Sequence, residues 1–287
     1  MAAPLRTAWF NGSFMPLAEV RISPLDRAFL FGDAVYEVIP VHAGQAFLLD
    51  PHLDRLERSL HELGIRNPCR RTEWIEIISG LIEQNGGGNL SVYLQVSRGA
   101  DSQRDHAFPP ENLQPTVFGM VSTMADPHPD QLGLRAITCA DQRWSRCDIK
   151  STALLANLLA RQAARDAGAG EAILLRDGYL TEGSASSVII VERGVLIRRP
   201  DGPEVLPGTT TDAVFAAAAG AGLACRDEMI SEQRLRQADE IWIAAATRGI
   251  TPVLELDGKK IGDGRPGPVW RQVAAAFEAR KPHGTAH

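Results

Sequence analysis

The chain has 287 residues, 44% of them hydrophobic, and a formal net charge of −5 at pH 7. This length exceeds the usual single domain, and the composition is typical of globular proteins that bury a sizeable core. The small negative charge, without a long run of either sign, gives no indication of binding to nucleic acid or to an anionic membrane. We therefore expect small molecules as partners.

The cysteines and lysines limit which disulfides, metal sites and reactive amines the chain can offer. The cysteines have no metal-binding spacing and indicate reduced thiols rather than disulfides or a metal site: Cys69, Cys139, Cys147 and Cys225. The first residues lack the apolar core of a signal peptide, and no apolar run approaches membrane-spanning length, so we expect a cytoplasmic protein. Few primary amines are available, because the lysines are Lys150, Lys259, Lys260 and Lys281.

Hydrophobic periodicity in the first half predicts a hairpin, then two helices and two strands. Asn11-Gly12 is a strong signal for a tight hairpin turn. The spacing of leucines predicts a helix over His52–Leu63, and a second helix is expected over Thr72–Gln84. Strands are expected over Ser91–Arg98 and Thr116–Ser122.

The polar, proline-punctuated segment 125–131 indicates a linker. It would join a small N-terminal α+β domain, residues 1–124, to a larger C-terminal domain, residues 132–287. In the second domain we predict strands over Leu134–Ala140, Glu171–Leu175, Tyr179–Glu182, Ser187–Glu192 and Glu240–Ala244. Helices are expected over Thr152–Ala167, Asp212–Ala219 and Val269–Arg280. The irregular alternation of elements predicts a fold of mixed α/β and α+β character.

Lys150 stands between a strand-like stretch and the predicted helix that Ser151 and Thr152 are expected to cap. A lysine more often lies on a solvated helix face. Here the surrounding residues are apolar: Ile149, Leu154, Leu155 and Leu158. Partial desolvation by these neighbours would lower the pKa of the amine and make it nucleophilic toward an aldehyde.

Two further segments offer groups for a flat, phosphorylated ligand. Gly208, Thr209 and Thr210 precede a predicted helix, whose free N–H groups and dipole favour a phosphate. An ordinary threonine cap explains the same pattern equally well. Glu182 ends a strand before a turn of small residues, where its carboxylate can pair with a pyridine nitrogen, although a solvated glutamate is the commoner case.

In order and spacing, six motifs along the chain resemble those of the class IV (fold type IV) aminotransferases. The motifs are DRAFLFGDAVYEV, HLDRL, RCDIKS, YLTEGSASS, VLPGTT and ITPV. This family includes D-amino acid aminotransferases, branched-chain aminotransferases and aminodeoxychorismate lyases. The resemblance implies a two-domain fold type IV enzyme, similar to D-amino acid aminotransferases, with pyridoxal 5'-phosphate as its cofactor.

The resemblance also assigns roles to residues of this chain. It implies that Lys150 forms the Schiff base, that Glu182 pairs with the ring nitrogen, and that Arg55 clamps the phosphate. The other implied cofactor contacts are Ser186, Leu206, Thr209, Thr210, Ala246 and Thr247. Ala185, Ala245 and Ala246 stand where D-amino acid aminotransferases carry hydroxyl residues, so we expect a weaker hold on the cofactor.

Substrate recognition is expected from Tyr36, Val38, Arg104 and His106. Tyr36, Arg104 and His106 resemble the carboxylate trap of D-amino acid aminotransferases, since an arginine, a histidine and a phenol can all bond one carboxylate. Branched-chain enzymes typically carry glycine and arginine within the stretch Val38–Pro40, and this chain does not. We therefore expect transfer of the amino group of D-alanine or another D-amino acid to 2-oxoglutarate or pyruvate.

Other functions stay open at this point. They are a branched-chain L-amino acid or (R)-amine aminotransferase, an aminodeoxychorismate lyase, and a non-catalytic protein that binds the cofactor. The resemblance further implies a homodimer. In that family the loop Arg98–Pro110 crosses to the neighbouring subunit, so Arg104 and His106 would serve the partner's active site.

Overall fold

The structure is a computed structural model that describes residues 4–110, 112–124 and 133–283. These residues form two compact units. The first unit holds the described residues up to 124 and the segment Ile149–Ala153, and the second holds residues 133–148 and Leu154–Lys281. No helix in these ranges is long and apolar enough to cross a membrane.

The first unit is built on an antiparallel sheet. Its strands are β1 (Thr7–Phe10), β2 (Ser13–Pro16), β3 (Ala34–His42), β4 (Gln45–Ala46), β5 (Leu90–Ser97) and β6 (Thr116–Thr123). Its helices are α1 (Arg27–Phe31), α2 (Leu49–Glu62) and α3 (Arg71–Gln84), with a short 3-10 helix at Leu17–Glu19. The six strands lie in the order β2-β1-β6-β5-β3-β4.

Local sequence signals explain much of this unit. Asn11 and Gly12 both have positive φ, 44° and 100°, as a tight turn with the twist of a hairpin requires. The two helices predicted from periodicity are confirmed as α2 and α3. The leucines of α2 at helical spacing, Leu53, Leu56 and Leu60, are at most 1% exposed and belong to the same core cluster as Trp74 of α3. One apolar face of each helix therefore builds this core.

The segment that carries Lys150 is bonded to the edge of β3. The N–H of Tyr36 donates to the carbonyl oxygen of Lys150 at 2.9 Å, and the N–H of Thr152 donates to that of Ala34 at 2.9 Å. Ser151 forms an isolated antiparallel bridge with Val35. These bonds make residues 150–152 a short extension of the first unit's sheet.

Two expectations about this segment are corrected by the structure. Lys150 was expected in the second domain, but its backbone bonds place it in the first unit. Ser151 and Thr152 were expected to cap a helix starting at Thr152. Instead the Thr152 hydroxyl donates to the carbonyl oxygen of Gly32 at 3.0 Å, and the helix begins only at Leu155. The expected linker, 125–131, lies outside the described residues.

The second unit is built on a mixed sheet. Its strands are β7 (Leu134–Ala140), β8 (Glu171–Arg176), β9 (Tyr179–Gly183), β10 (Ser187–Glu192), β11 (Val195–Arg198), β12 (Cys225–Asp227), β13 (Glu240–Ala245), β14 (Gly249–Leu256) and β15 (Lys259–Lys260). Its helices are α4 (Leu155–Asp166), α5 (Thr209–Gly220), α6 (Glu232–Gln237) and α7 (Pro268–Glu278). The strand order is β12-β11-β10-β13-β14-β7-β8-β9, with β15 beside β14.

Both parallel and antiparallel pairs occur within this sheet. The strands β7 and β8 are parallel, as are β14 and β7, whereas β8 and β9 form an antiparallel hairpin. Asp177 and Gly178, with φ values of 52° and 79°, make the turn of that hairpin, and Asp-Gly is a favoured pair in such turns. Trp242 and Ile243 of β13 are fully buried, so the centre of the sheet is covered on both faces.

Candidate active site

The amine of Lys150 lies 4.3 Å from the centre of the Tyr36 ring. Burial of this amine, helped by the positive charge of Arg55, lowers the pKa of Lys150 from 10.5 to about 8. Such an amine is unprotonated in a far larger fraction at neutral pH than an ordinary lysine, and it is correspondingly nucleophilic. Of the apolar neighbours expected to shield the amine, Ile149 is buried, but Leu155 and Leu158 are 72% and 61% exposed, so the expectation is wrong for these two leucines.

Arg55, which the resemblance assigns to the phosphate, is held by a buried acid. Its Nε donates to Oε1 of Glu37 at 2.7 Å, and its Nη2 donates to Oε2 at 2.8 Å. His52 Nδ1 lies 2.8 Å from the same Oε2. Burial alone would raise the pKa of Glu37, but Arg55 and His52 outweigh it and lower the pKa to about 2. The ionised Glu37 therefore fixes the plane of the guanidinium.

Glu37 was missed in the sequence analysis, although β3 contains a signal for it. Val35, Glu37 and Ile39 alternate along the strand and are all fully buried. A charged residue at the centre of such a buried row requires a partner of opposite charge. The row therefore indicates a buried ion pair, but it does not identify Arg55 as the partner.

Tyr36 and Val38 lie on the other face of β3, because successive side chains of a strand alternate. The ring of Tyr36 stacks on that of Tyr93, with centres 5.6 Å apart. Burial raises the pKa of Tyr36 above its ordinary value of 10.0. The phenol therefore stays protonated at neutral pH and can donate to an anionic ligand.

Glu182 lies at the end of β9 and is 9% exposed. Its Oε2 accepts a hydrogen bond from the N–H of Leu206 at 3.0 Å, and its Oε1 is paired with Nη1 of Arg143. Arg143 also binds Asp141 through two bonds of 2.9 and 2.7 Å. The guanidinium restricts the orientation of the Glu182 carboxylate. Arg143 carried no role in the sequence analysis.

The helix α5 begins with a turn suited to an anion. Gly208 is its N-cap and supplies no side-chain acceptor for the first N–H groups. The hydroxyl of Thr211 is buried and has no hydrogen-bond partner among the described residues. A Cβ at position 208 would lie 2.7 Å from this hydroxyl and from that of Ser187. The site therefore combines the buried Thr211 hydroxyl, the helix dipole and a close backbone approach.

A small cleft of about 30 Å³ joins these groups within the second unit. Its lining includes Glu182, Leu206, Gly208 and Thr211. The structure thus brings the expected ring-nitrogen carboxylate together with the expected phosphate turn. Thr209 and Thr210, also expected at the phosphate, are buried at the start of α5 beside Thr211.

The remaining expected cofactor contacts differ in their surroundings. The hydroxyl of Ser186 donates to Oε2 of the buried Glu171 at 2.9 Å, so it is engaged within the protein. Ala246 and Thr247 lie in the turn between β13 and β14, where Ala246 is half-buried and Thr247 is exposed. Their roles toward the cofactor stay predictions.

Arg104 and His106 are both exposed, in the loop that follows β5. The Arg104 guanidinium carbon lies 5.0 Å from the centre of the Phe31 ring, and the His106 ring centre lies 5.2 Å from it. The structure therefore brings Arg104 and His106, two of the three expected carboxylate ligands, together against Phe31.

Comparison with known proteins decides the family. The profile of the family described as "Amino-transferase class IV" matches residues 34–256. The chain belongs to the class IV aminotransferases. This aminotransferase is 37% identical to a D-alanine aminotransferase of Bacillus licheniformis over 270 residues, which cover 94% of this chain and 95% of the relative. It is 34% identical to the D-alanine aminotransferase of Staphylococcus aureus (strain MW2), over 94% of this chain and 96% of that one.

Solved structures confirm the predicted fold type. The aminotransferase matches the branched-chain amino acid aminotransferase of Escherichia coli with a TM-score of 0.90 at 25% identity, covering 96% of this chain and 94% of the other. It matches a second branched-chain amino acid aminotransferase, solved with pyridoxamine 5'-phosphate, with a TM-score of 0.90 at 26% identity and the same coverage. The resemblance to fold type IV is therefore confirmed.

The groups in the aminotransferase fit pyridoxal 5'-phosphate. This cofactor needs an amine for its aldehyde, an anionic partner for its ring nitrogen and donors for its phosphate. Lys150 has the depressed pKa of a reactive amine, Glu182 is held beside a guanidinium, and Thr211 leaves a buried hydroxyl unpaired at a helix N-terminus. Within the described ranges, no group of three or more His, Cys, Asp or Glu side chains could hold a metal ion.

Proposed function

We propose that the protein is a pyridoxal 5'-phosphate-dependent D-amino acid transaminase. It moves the amino group of D-alanine, or of another D-amino acid, to 2-oxoglutarate or pyruvate in two successive half-reactions. The observation that carries the proposal is the half-buried Lys150, whose amine lies beside the Tyr36 ring and has its pKa lowered to about 8. The identity to D-alanine aminotransferases, 37% and 34% over 94% of the chain, supports D-amino acids as substrates.

The bound cofactor supplies an aldehyde and an electron-accepting ring. Lys150 would provide the amine for the aldehyde and, as a free amine, would be the base for the α-proton. Glu182 would keep the ring nitrogen protonated, and Arg55 would hold the phosphate together with the first turn of α5. Leu206 would pack against the ring. A substrate carboxylate held in a fixed position relative to Lys150 would determine which enantiomer reacts.

The substrate carboxylate is bound by Arg104, His106 and the phenol of Tyr36, and Val38 contacts the substrate beside them. A guanidinium, an imidazole and a phenol give several charge-assisted bonds to one carboxylate. Amines that lack a carboxylate form no such bonds, so these three groups do not increase their affinity. Arg104 and His106 are exposed in the single chain, so both side chains are accessible to a second subunit.

The active species is a homodimer in which this loop reaches the partner's site. Three large apolar side chains support an interface, because α4 leaves Leu155, Leu158 and Leu159 at 72%, 61% and 60% exposure. They recur at helical spacing and so form one apolar stripe. A contiguous apolar patch of this kind marks a contact surface more often than a solvated one.

A branched-chain L-amino acid aminotransferase is the second candidate, because solved enzymes of that kind share the fold with a TM-score of 0.90. One assay separates the candidates. D-alanine, L-leucine and (R)-1-phenylethylamine are added singly to the cofactor-loaded protein, and the absorption of the cofactor and the released carbonyl product are followed. The proposal predicts rapid conversion with D-alanine. Faster conversion with L-leucine would contradict the substrate, and no conversion with any amine would indicate a protein that only binds the cofactor.

A further inference from the structure

A buried arginine is bonded to the loop that carries Arg104 and His106. Arg27 is 3% exposed and lies at the start of α1. Its Nη1 donates to the carbonyl oxygens of Asp105 at 2.7 Å and Ala107 at 3.2 Å. These two carbonyls belong to the residues on either side of His106. Arg27 therefore fixes the backbone of the loop where the imidazole leaves it.

The guanidinium of Arg27 is itself fixed by Asp33. Arg27 Nε donates to Oδ2 of Asp33 at 2.7 Å, and the same carboxylate accepts two bonds from Arg98, of 2.8 and 3.0 Å. Arg98 begins the loop and donates onward to the carbonyl oxygens of Leu63 and Gly64. Burial would raise the pKa of Asp33, but bonds from both arginines lower it below its ordinary value. One ionised carboxylate thus holds the start and the middle of the loop.

Phe31 orients the side chains of the same loop. Its ring centre lies 4.9 Å from the guanidinium carbon of Arg27 and 5.0 Å from that of Arg104. The ring of His106 is tilted against it, with centres 5.2 Å apart. The face of an aromatic ring attracts a guanidinium, so Arg104 and His106 are held against one surface. Phe31 therefore supports both groups at the same time.

We propose that Arg27, Phe31 and Asp33, which we call the loop anchor, are positioning residues for substrate binding. They hold Arg104 and His106 in the arrangement that takes the substrate carboxylate. The proposal rests on the proposed function. An exposed loop loses conformational entropy when it becomes ordered, and the anchor orders it before the substrate arrives. The entropy of ordering the loop is then not lost at the moment when the substrate carboxylate binds.

The test compares substitutions of Arg27 in the cofactor-loaded enzyme. Arg27→Met removes the bonds to Asp33, Asp105 and Ala107 together. We expect the KM for D-alanine to rise about tenfold or more, the size of one lost charged hydrogen bond, while kcat changes little. Arg27→Lys keeps the charge without the planar fork and should recover part of the affinity. Conversion of (R)-1-phenylethylamine, which has no carboxylate, should be the same in all variants.

Arg234 offers a matched control. It too joins a carboxylate, that of Glu192, to a backbone carbonyl oxygen, that of Met229, and it lies in the second unit. Arg234→Met should leave the KM for D-alanine at the value of the parent. Hydrogen exchange provides a readout that needs no turnover. The peptide covering residues 101–110 should exchange faster in Arg27→Met than in the parent, and no faster in Arg234→Met.

The possible outcomes distinguish failure of the loop-anchor proposal from failure of the proposed function. A parent that does not convert D-alanine would overturn the proposed function itself. If the parent is active, an unchanged KM in Arg27→Met would overturn the anchor. An equal loss with D-alanine and with the amine would show a general structural role and overturn it as well. If Arg27→Met does not fold, Phe31→Leu carries the same test, with the same pattern expected for KM and for exchange of residues 101–110.

Discussion

The N–H of Tyr36 donates to the carbonyl oxygen of Lys150 at 2.9 Å, and the amine of Lys150 lies 4.3 Å from the centre of the Tyr36 ring. The strand β3 therefore positions a phenol and an amine at once. On its other face, the same strand holds Glu37, which fixes Arg55. Three groups with proposed roles thus depend on one short piece of backbone, and a change that shifts β3 should affect all three.

The depressed pKa of Lys150 predicts how the stability of the cofactor-free protein depends on pH. Between about pH 8 and 10.5 the unfolded lysine is protonated and the folded one is not. The unfolded state then binds more protons, so stability rises with pH in this window and the contribution is constant below it. Urea unfolding gives the free energy of unfolding of the parent and of Lys150→Met at each pH. The parent value minus the variant value should rise by up to about 3 kcal/mol across this window. A flat difference would contradict the low pKa.

The pairing of Glu182 with the ring nitrogen predicts a selective loss of rate. Glu182→Gln removes the negative charge, so the protonated ring is less stable and α-proton removal slows, by on the order of 100-fold. The fold and the attachment of the cofactor should persist. Single-turnover rates with D-alanine deuterated at Cα measure this step. The control is Glu228→Gln, which changes a half-buried acid paired with Arg234. Unchanged rates in Glu182→Gln would make Glu182 a turn residue only.

How far the sequence predicts this site is shown by Lys150. Its motif and the scarcity of other lysines identified the amine. Its surroundings could not be predicted, because they depend on backbone bonds between distant residues, such as Thr152 and Gly32, which are 120 positions apart. Helical periodicity detects only neighbours three or four positions away. The leucines after Lys150 therefore suggested a shielding face that the structure leaves exposed.

The fold was predicted best where the signal is local. The helices α2 and α3 and the hairpin turn at Asn11-Gly12 follow from patterns within a few residues. Strand β14 was missed, since Pro252 argues against a central strand, yet Pro252 lies opposite Trp242 in the ladder with β13. The buried ionic partners of the site, Glu37 and Arg143, were missed because a pattern identifies a buried charge but not its distant partner.

If Arg104 and His106 bind the substrate carboxylate, their removal should weaken the binding only of substrates that carry one. Arg104→Ala and His106→Ala should weaken binding of D-alanine and of 2-oxo acids, by roughly 2–5 kcal/mol for Arg104 if its partner stays desolvated. Amines without a carboxylate should be spared. The ratio of kcat/KM for D-alanine to that for (R)-1-phenylethylamine measures this directly. If both substrates lost the same factor, the loop would not be the carboxylate site.

Assembly has its own test. A Lys150→Ala chain and an Arg104→Ala chain, each inactive alone, are mixed under conditions that exchange subunits. If the loop serves the partner's site, each mixed dimer contains one complete site, and activity with D-alanine should partly return. The parent mixed with either variant gives the reference amplitude. Mixed dimers that form but recover no activity would show that Arg104 serves its own chain.

The most direct measurement concerns the cofactor's covalent partner. The purified protein loaded with pyridoxal 5'-phosphate is reduced with borohydride, digested and mapped. The chain offers four lysines, and Lys259 and Lys260 are exposed while Lys281 is paired with Glu278. We predict that the reduced adduct lies on Lys150, and that Lys150→Ala still binds the cofactor without forming an adduct or transferring an amine. An adduct on one of the other three lysines, in a protein that converts D-alanine, would contradict the account.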